Sequence, residues 1–272
     1  MAEFVLAGEP ILRLAAFAGV LILMAVWEAI APRRIRAQSR LSRWPNNLGI
    51  VVLNTVAVRF LFPLTAVAAA LEAAARGWGL LNLTTLPAGV EILLAVVVLD
   101  MAIYFQHRLF HAVPVLWRLH RMHHADLDLD VTTGARFHPL EILLSMAIKV
   151  AVVIALGAPA VAVVLFEILL NASSMFNHAN LRLPLAVDGA LRWLIVTPDV
   201  HRVHHSVIRA ETDSNFGFSL SWWDRLFGTW RAQPEKGHDG MTIGLPVFRN
   251  PEQLRLDRML VQPFLRGDGT EY

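Results

Sequence analysis

Long apolar runs dominate the chain, separated by short polar stretches. The first run covers about 11–31, with Arg13 and Glu28 near its ends. The second covers about 48–75, contains Arg59 and Pro63, and meets no acid before Glu72. A loop at 76–86 leads to a third run at about 87–104. A long stretch from Ile142 to Phe176 is cut by Gly157-Ala158-Pro159, which predicts a tight turn between two helices. The two arms cross fully or form a re-entrant hairpin, and in either case the chain returns to the side it left. Each of the first three runs is close to the ~20 residues a bilayer-spanning helix needs. The expected fold is all-α: a polytopic membrane helical bundle with a cytoplasmic helical cap. The chain divides as one integral membrane domain, 1–272. Its parts are N-terminal transmembrane helices at 1–86, a histidine-rich core at 87–232 and a polar C-terminal tail at 233–272.

Composition agrees. Of 272 residues 56% are hydrophobic and 17% charged, against about a quarter charged in a soluble domain. Nearly all the basic residues are Arg, Lys149 and Lys236 being the two lysines. They cluster beside apolar runs, which marks membrane orientation rather than nucleic-acid binding. Arg33, Arg34, Arg36, Arg40 and Arg43 follow run one, and Arg108, Arg118, Arg121 and Arg136 follow run three. Both marks place the N-terminus outside and the histidine segments and C-terminus in the cytoplasm. The N-terminal segment lacks the basic region of a cleaved signal peptide, so the first run is expected to be retained. There is no cysteine, so no disulfide, thiolate metal site or cysteine nucleophile is available.

Eleven histidines are present and ten fall between 107 and 205. They recur at helical spacing: His107 and His111; His120, His123 and His124; His201, His204 and His205. Residues at i, i+3 and i+4 share one helix face, so each group directs its imidazoles toward a common point. Imidazole suits Zn, Fe, Cu and Ni. Eight such ligands exceed the needs of one ion, and two metals are the economical reading. A polar histidine belt at the membrane interface would not need repeated spacing. A bis-histidine haem would need single axial ligands on facing helices rather than adjacent pairs.

The three histidine groups resemble those of the fatty acid hydroxylase/sterol desaturase superfamily: HRLFH at 107–111, LWRLHRMHH at 116–124 and TPDVHRVHHS at 197–206. TTGARFHPLE at 132–141, FNHAN at 176–180 and NFGFSLSWWDRLFGTW at 215–230 extend the resemblance, which covers about half the chain. It implies a cytoplasm-facing dimetal site above a four-helix-like core. Members use two non-haem irons, O2 and reducing equivalents to hydroxylate or desaturate lipid C–H bonds. It carries the metal role to His107, His111, His120, His123, His124, His201, His204 and His205. His178 matches a further ligand seen in part of the superfamily, and His138 is the last candidate. Zn can replace Fe at imidazole sites. The LDVTTGAR stretch is also similar to the alkylglycerol monooxygenase branch, which uses a pterin. No fused electron carrier is visible, so an external reductant from a separate electron donor is expected. The substrate is expected to be a lipid entering from the bilayer, with a bacterial inner membrane as the location and no nucleic-acid partner.

Around the histidines, Asp100 stands two helical turns before His107 and Asp199 two residues before His201; both are candidates to orient an imidazole. Asp126, Asp128 and Asp130 read as a solvated acidic loop, and His238 as solvent-exposed. Glu141 and Glu167 read as interface carboxylates paired with Arg136 or Lys149, with metal ligation as the alternative. Trp222, Trp223, Asp224 and Arg225 read as locking the cap. Two rival functions are a membrane zinc hydrolase, which would need a glutamate base within the histidine groups, and a divalent-metal transporter, which would place its ligands at mid-membrane.

Overall fold

The computed structural model describes residues 6–62 and 64–265. Among these the secondary structure is helical, with only isolated β-bridges besides. The long helices are α1 (Glu9–Ile30), α2 (Arg40–Leu61), α3 (Ala66–Arg76), α4 (Ala88–Ala112), α5 (Pro114–His124), α6 (Pro139–Leu156) and α7 (Ala160–His178). Two short ones follow, α8 (Leu185–Leu191) and α9 (Pro198–His204). Five segments, Glu9–Ile30, Arg40–Leu83, Ala88–Ala112, Pro139–Leu156 and Ala160–His178, are long and apolar enough to cross a membrane. Large apolar side chains on their outer faces, among them Leu14, Phe60 and Leu93, are exposed, as a lipid-facing surface requires. The chain is a multi-pass membrane protein.

The second apolar run is two helices. α2 ends at Leu61, and α3 starts after Thr65, whose side chain accepts from the Ala68 amide. The α6–α7 turn is the expected Gly-Ala-Pro: Gly157 closes α6 in the left-handed region at φ +68° and Pro159 caps α7. A Cβ on neighbouring Gly79 would lie 2.1 Å from the Gly157 nitrogen, so both positions need glycine for the backbones to meet. At this end small residues of α3 (Ala66, Ala69, Ala70) pack tightly against Val153 of α6 and Ala162 and Val163 of α7.

The opposite end carries the polar chemistry. α1, α4 and α7 finish there, and α2 and α6 begin there. Three prolines shape it. Pro114, Pro139 and Pro198 stand in the first turn of α5, α6 and α9, where a missing N–H costs nothing. Pro114 also forces Val113 out of the helical region, so α5 folds back across the end of α4.

The connection after α5 is not a solvated acidic loop. Asp126 and Asp130 are fully buried around an equally buried Arg43. The Arg43 guanidinium donates to both Asp126 oxygens at 2.9 and 2.7 Å, to Asp130, to the Asp128 carbonyl at 2.8 Å and to Thr133 Oγ1 at 2.9 Å. Burial would raise the Asp126 carboxyl, but Arg43 and Arg136 hold it down to about 2. Buried Glu28 ties α1 to this core, accepting from the amides of Val131 at 2.7 Å and Asn180 at 2.8 Å.

Residues 233–265, read from the sequence as polar tail, pack over the cap. Met259 is buried against Ile50 and Met122, Leu245 against Trp117 and Ala125. Arg121 donates to the carbonyls of Gln262 at 2.7 Å and Leu265 at 2.6 Å. His238 is buried as well, not exposed.

Candidate metal centre

Nine imidazoles meet at the polar end in two adjoining groups. His107, His111, His120, His124 and His204 form one; His123, His178, His201 and His205 form the other. Within each group one ligand atom per residue lies within 4.8 Å of all the others, and every member is buried. The groups adjoin at His124 and His205, whose rings stack at 4.5 Å.

Helix geometry explains the sorting. On α5, His120 and His124 are four residues apart and reach the first group, while His123 points to the second. α9 divides its histidines likewise, with His204 in the first group and His201 and His205 in the second. His178 arrives from the last turn of α7. Gly134 lets that approach happen: a Cβ there would lie 2.4 Å from the Ser174 carbonyl oxygen.

Most of the rings are fixed from behind through Nδ1. His107 donates to the Phe216 carbonyl at 2.8 Å, His123 to Arg136 at 3.1 Å, His178 to Ser174 at 2.7 Å and His204 to Ser214 at 2.8 Å. Two are held by carboxylates: His120 by Glu141 at 2.7 Å and His111 by Asp213 at 3.2 Å. A carbonyl can only accept, so a ring that bonds it through Nδ1 carries its proton there and turns a bare lone pair inward at Nε2. His107 and His120 then face each other Nε2 to Nε2 at 3.1 Å. His178 faces His123 at 3.0 Å in the same way, and its Nε2 also lies 3.0 Å from His201 Nε2 and 3.1 Å from His205 Nε2, whose Nδ1 atoms have no partner. Facing lone pairs repel unless a cation lies between them. With metal–nitrogen bonds of ~2.0–2.1 Å, nitrogens sharing one ion sit about 2.9–3.4 Å apart, and these separations fall in that range. Several ring nitrogens, among them His111 Nε2, His204 Nε2 and both nitrogens of His124, are buried with no hydrogen-bond partner.

Electrostatics points the same way. Burial, and after it the neighbouring imidazoles, hold His123, His124, His201 and His205 well below the ordinary histidine range. His204 is pushed down to about 3, chiefly by burial. These rings are neutral at physiological pH, the form that binds metals. The donor set fits two ions bound by nitrogen.

The remaining sequence candidates lie elsewhere. His138 stands apart from both groups: it caps α6, where Nδ1 accepts from the Leu140 amide at 3.2 Å and Nε2 donates to the Leu260 carbonyl at 3.2 Å. Asp100 touches no imidazole. It accepts from the amides of Ser219 at 3.2 Å and Leu220 at 3.1 Å and from Trp223 Nε1 at 2.8 Å. Asp199 reaches none of the nine grouped rings, pairing instead with Arg202, Arg33 and, at 3.6 Å, His238. Asp100 acts on the segment that holds His107 from behind, and Asp224 does so more directly, accepting from the amides of Phe216 at 2.7 Å and Gly217 at 2.8 Å. Burial pushes the Asp224 carboxyl up to about 6. Glu141 was visible in the sequence, but not its bond to His120; Asp213 carried no local signal at all.

Two buried histidine groups, each able to hold a metal ion, at one end of a membrane helical bundle define the class. The chain belongs to the fatty acid hydroxylase family, whose model matches residues 92–229. It is 30% identical over 185 residues to ornithine lipid hydroxylase OlsE of Rhizobium tropici, covering 68% of this chain and 54% of that protein. Human alkylglycerol monooxygenase is 31% identical over 150 residues, 55% of this chain and 32% of its own length. The Xenopus tropicalis alkylglycerol monooxygenase is 30% identical over 163 residues, 60% and 35% respectively. The chain therefore spans about half of the first relative and about a third of the others. No solved structure matches it.

Proposed function

We propose that the chain is a membrane-bound, O2-dependent oxidoreductase that hydroxylates, or desaturates, a lipid C–H bond at a histidine-ligated diiron centre. The observation that carries this reading is the facing of inward Nε2 lone pairs in both groups at once, His107 to His120 at 3.1 Å and His178 to His123 at 3.0 Å. The nine grouped histidines are the proposed ligands. The family and the names of its relatives supply the reaction class. The proposed substrate comes from the bilayer, a separate donor supplies electrons, and the metal end faces the cytoplasm, in a bacterial inner membrane.

When bound, the irons supply the reductive activation of O2 that attack on an unactivated C–H bond requires. The chain's own contribution is positional. Carbonyls and carboxylates fix six of the rings in one tautomer. Residues of α2, α4, α6 and α7 line a largely apolar cavity that reaches His107 and His120 and can hold an alkyl chain against them. The packed C-terminal segment covers the cytoplasmic side and keeps water from the site. The test is 18O2 labelling of membranes carrying the chain, followed by mass spectrometry of the extracted lipid. One labelled oxygen in a lipid product, absent with His178→Ala, is expected. Labelled lipid at the same level in the variant, or none in the parent with reductant supplied, overturns the reading.

A further inference from the structure

The cavity beside the imidazoles has a volume of about 770 Å³ and does not end in apolar wall. Away from His107 and His120 it is lined by Glu9, Arg13, Arg59, Lys149 and Glu167. Four of these answer to one another. Glu167 accepts from Lys149 Nζ at 2.6 Å and from Arg13, and Arg13 also pairs with Glu9 at 3.0 Å. Arg59 stands outside that network. It is an exposed cation on a membrane-spanning segment, and among the described residues it has no hydrogen-bond or ion-pair partner. Three cations face two carboxylates, leaving one positive charge in excess. An ionisable side chain within a spanning segment is retained where it has a partner or a task. Here the described residues supply no partner, and the cavity gives room for one.

We propose that this end of the cavity anchors the anionic end, carboxylate or phosphate, of a single-chain amphiphile. Arg59 is its principal contact. The alkyl chain lies along Val58, Ile103, Ile142 and Met146 toward His107 and His120. The proposal rests on the lipid-oxidation reading above and adds a determinant of which lipid, and which carbon, is presented. Asn54 bonds the Phe137 carbonyl at the imidazole level, and Arg59 lies one and a half turns beyond it, about 8 Å of rise. Lys149 lies about 12 Å beyond Glu141 by the same measure. At about 1.25 Å per methylene, from tetrahedral bonds of ~1.5 Å, the carbon at the metals is about six to ten positions from the anion.

The test is equilibrium binding of tritiated hexadecanoate, hexadecyl phosphate and hexadecan-1-ol to the metal-loaded, detergent-purified full chain. In the parent at least one anion is expected to bind about tenfold or more tighter than the alcohol. The tighter of the two identifies the headgroup chemistry. Arg59→Gln should cut that preference below about threefold with metal content unchanged, and Arg59→Lys should keep most of it. Parity between anion and alcohol in the parent, or full preference in Arg59→Gln, overturns the anchor and leaves Arg59 as a side chain reaching for the membrane surface. If Arg59→Gln does not accumulate, the parent's preference at low and high salt decides: it must fall as salt rises, and a constant ratio overturns the proposal. Addition of O2 and reductant separates this proposal from the reading beneath it. Oxidation without anion preference removes the anchor alone, whereas anion preference without oxidation removes the functional reading and leaves the anchor.

Discussion

The two histidine groups are built differently. The first has five members, is backed by the carboxylates of Glu141 and Asp213 as well as by the carbonyls of Phe216 and Ser214, and shows His107 and His120 to the cavity. The second has four members and is backed, where its Nδ1 atoms are bonded, by the carbonyls of Arg136 and Ser174. None of its histidines lines that cavity. A carboxylate behind an imidazole makes it a stronger electron donor than a carbonyl does. On the proposed function, the first group, which holds both carboxylate-backed rings and faces the cavity, would bind the metal nearer substrate, and the second a metal out of the cavity's reach. Similar residues serve unlike purposes because of what stands behind them and what lies in front.

This contrast can be broken most strongly by removing single ligands. His178 is the hub of the second group, its Nε2 lying within 3.1 Å of three other rings. His178→Ala should lose that metal outright and lower activity more than tenfold. His124→Ala leaves four ligands in the first group and should cost clearly less, read as metal content beside turnover. Equal losses would erase the distinction.

The backing groups come next. Glu141→Gln keeps size but not charge behind His120, and a fall of about 10–100-fold in metal affinity or rate is expected. Asp213→Asn, with a side chain 34% exposed and a longer bond to His111, should change either by less than about threefold. Metal titration of both variants checks the order.

Smaller effects are expected outside the groups. His138→Ala removes a helix cap and should lower stability by about 1 kcal/mol, with metal content unchanged. His238 is held down to about 4, mainly by burial with Arg202 and Arg33 adding, against an ordinary 6.5. As pH falls through that window the unfolded chain takes a proton that the folded chain refuses, so stability declines. His238→Gln should flatten the decline by up to one proton, read as Tm against pH.

What the sequence made legible was periodic and local. Apolar runs located the spans, and i, i+3, i+4 spacing located eight of the nine rings that the fold brings together, the ninth, His178, coming from the family resemblance. The boundaries shifted where local breaks acted: the second run divides near 62–65, and the third continues through His111 because nothing stops a helix before Pro114. The partners behind the rings were not legible. Asp213 and His111 are 102 residues apart, and His107 and Phe216 are 109 apart. Helical spacing assigned Asp100, and nearness in sequence assigned Asp199, to imidazoles, because both register only relations along one helix. In the fold the Asp100 carboxylate turns to another segment, and an adjacent arginine captures Asp199. The acidic run at 126–130 looked solvated because Arg43, which neutralises it, lies 83 residues before Asp126.

The central claim is a pair of ions held by two imidazole groups, and metal content tests it most directly. Detergent-purified parent should carry two metal ions per chain, and a His204→Ala/His205→Ala variant, which removes one ligand from each group, should lose most of both. One ion or none in the parent, or two retained in the variant, would contradict the account.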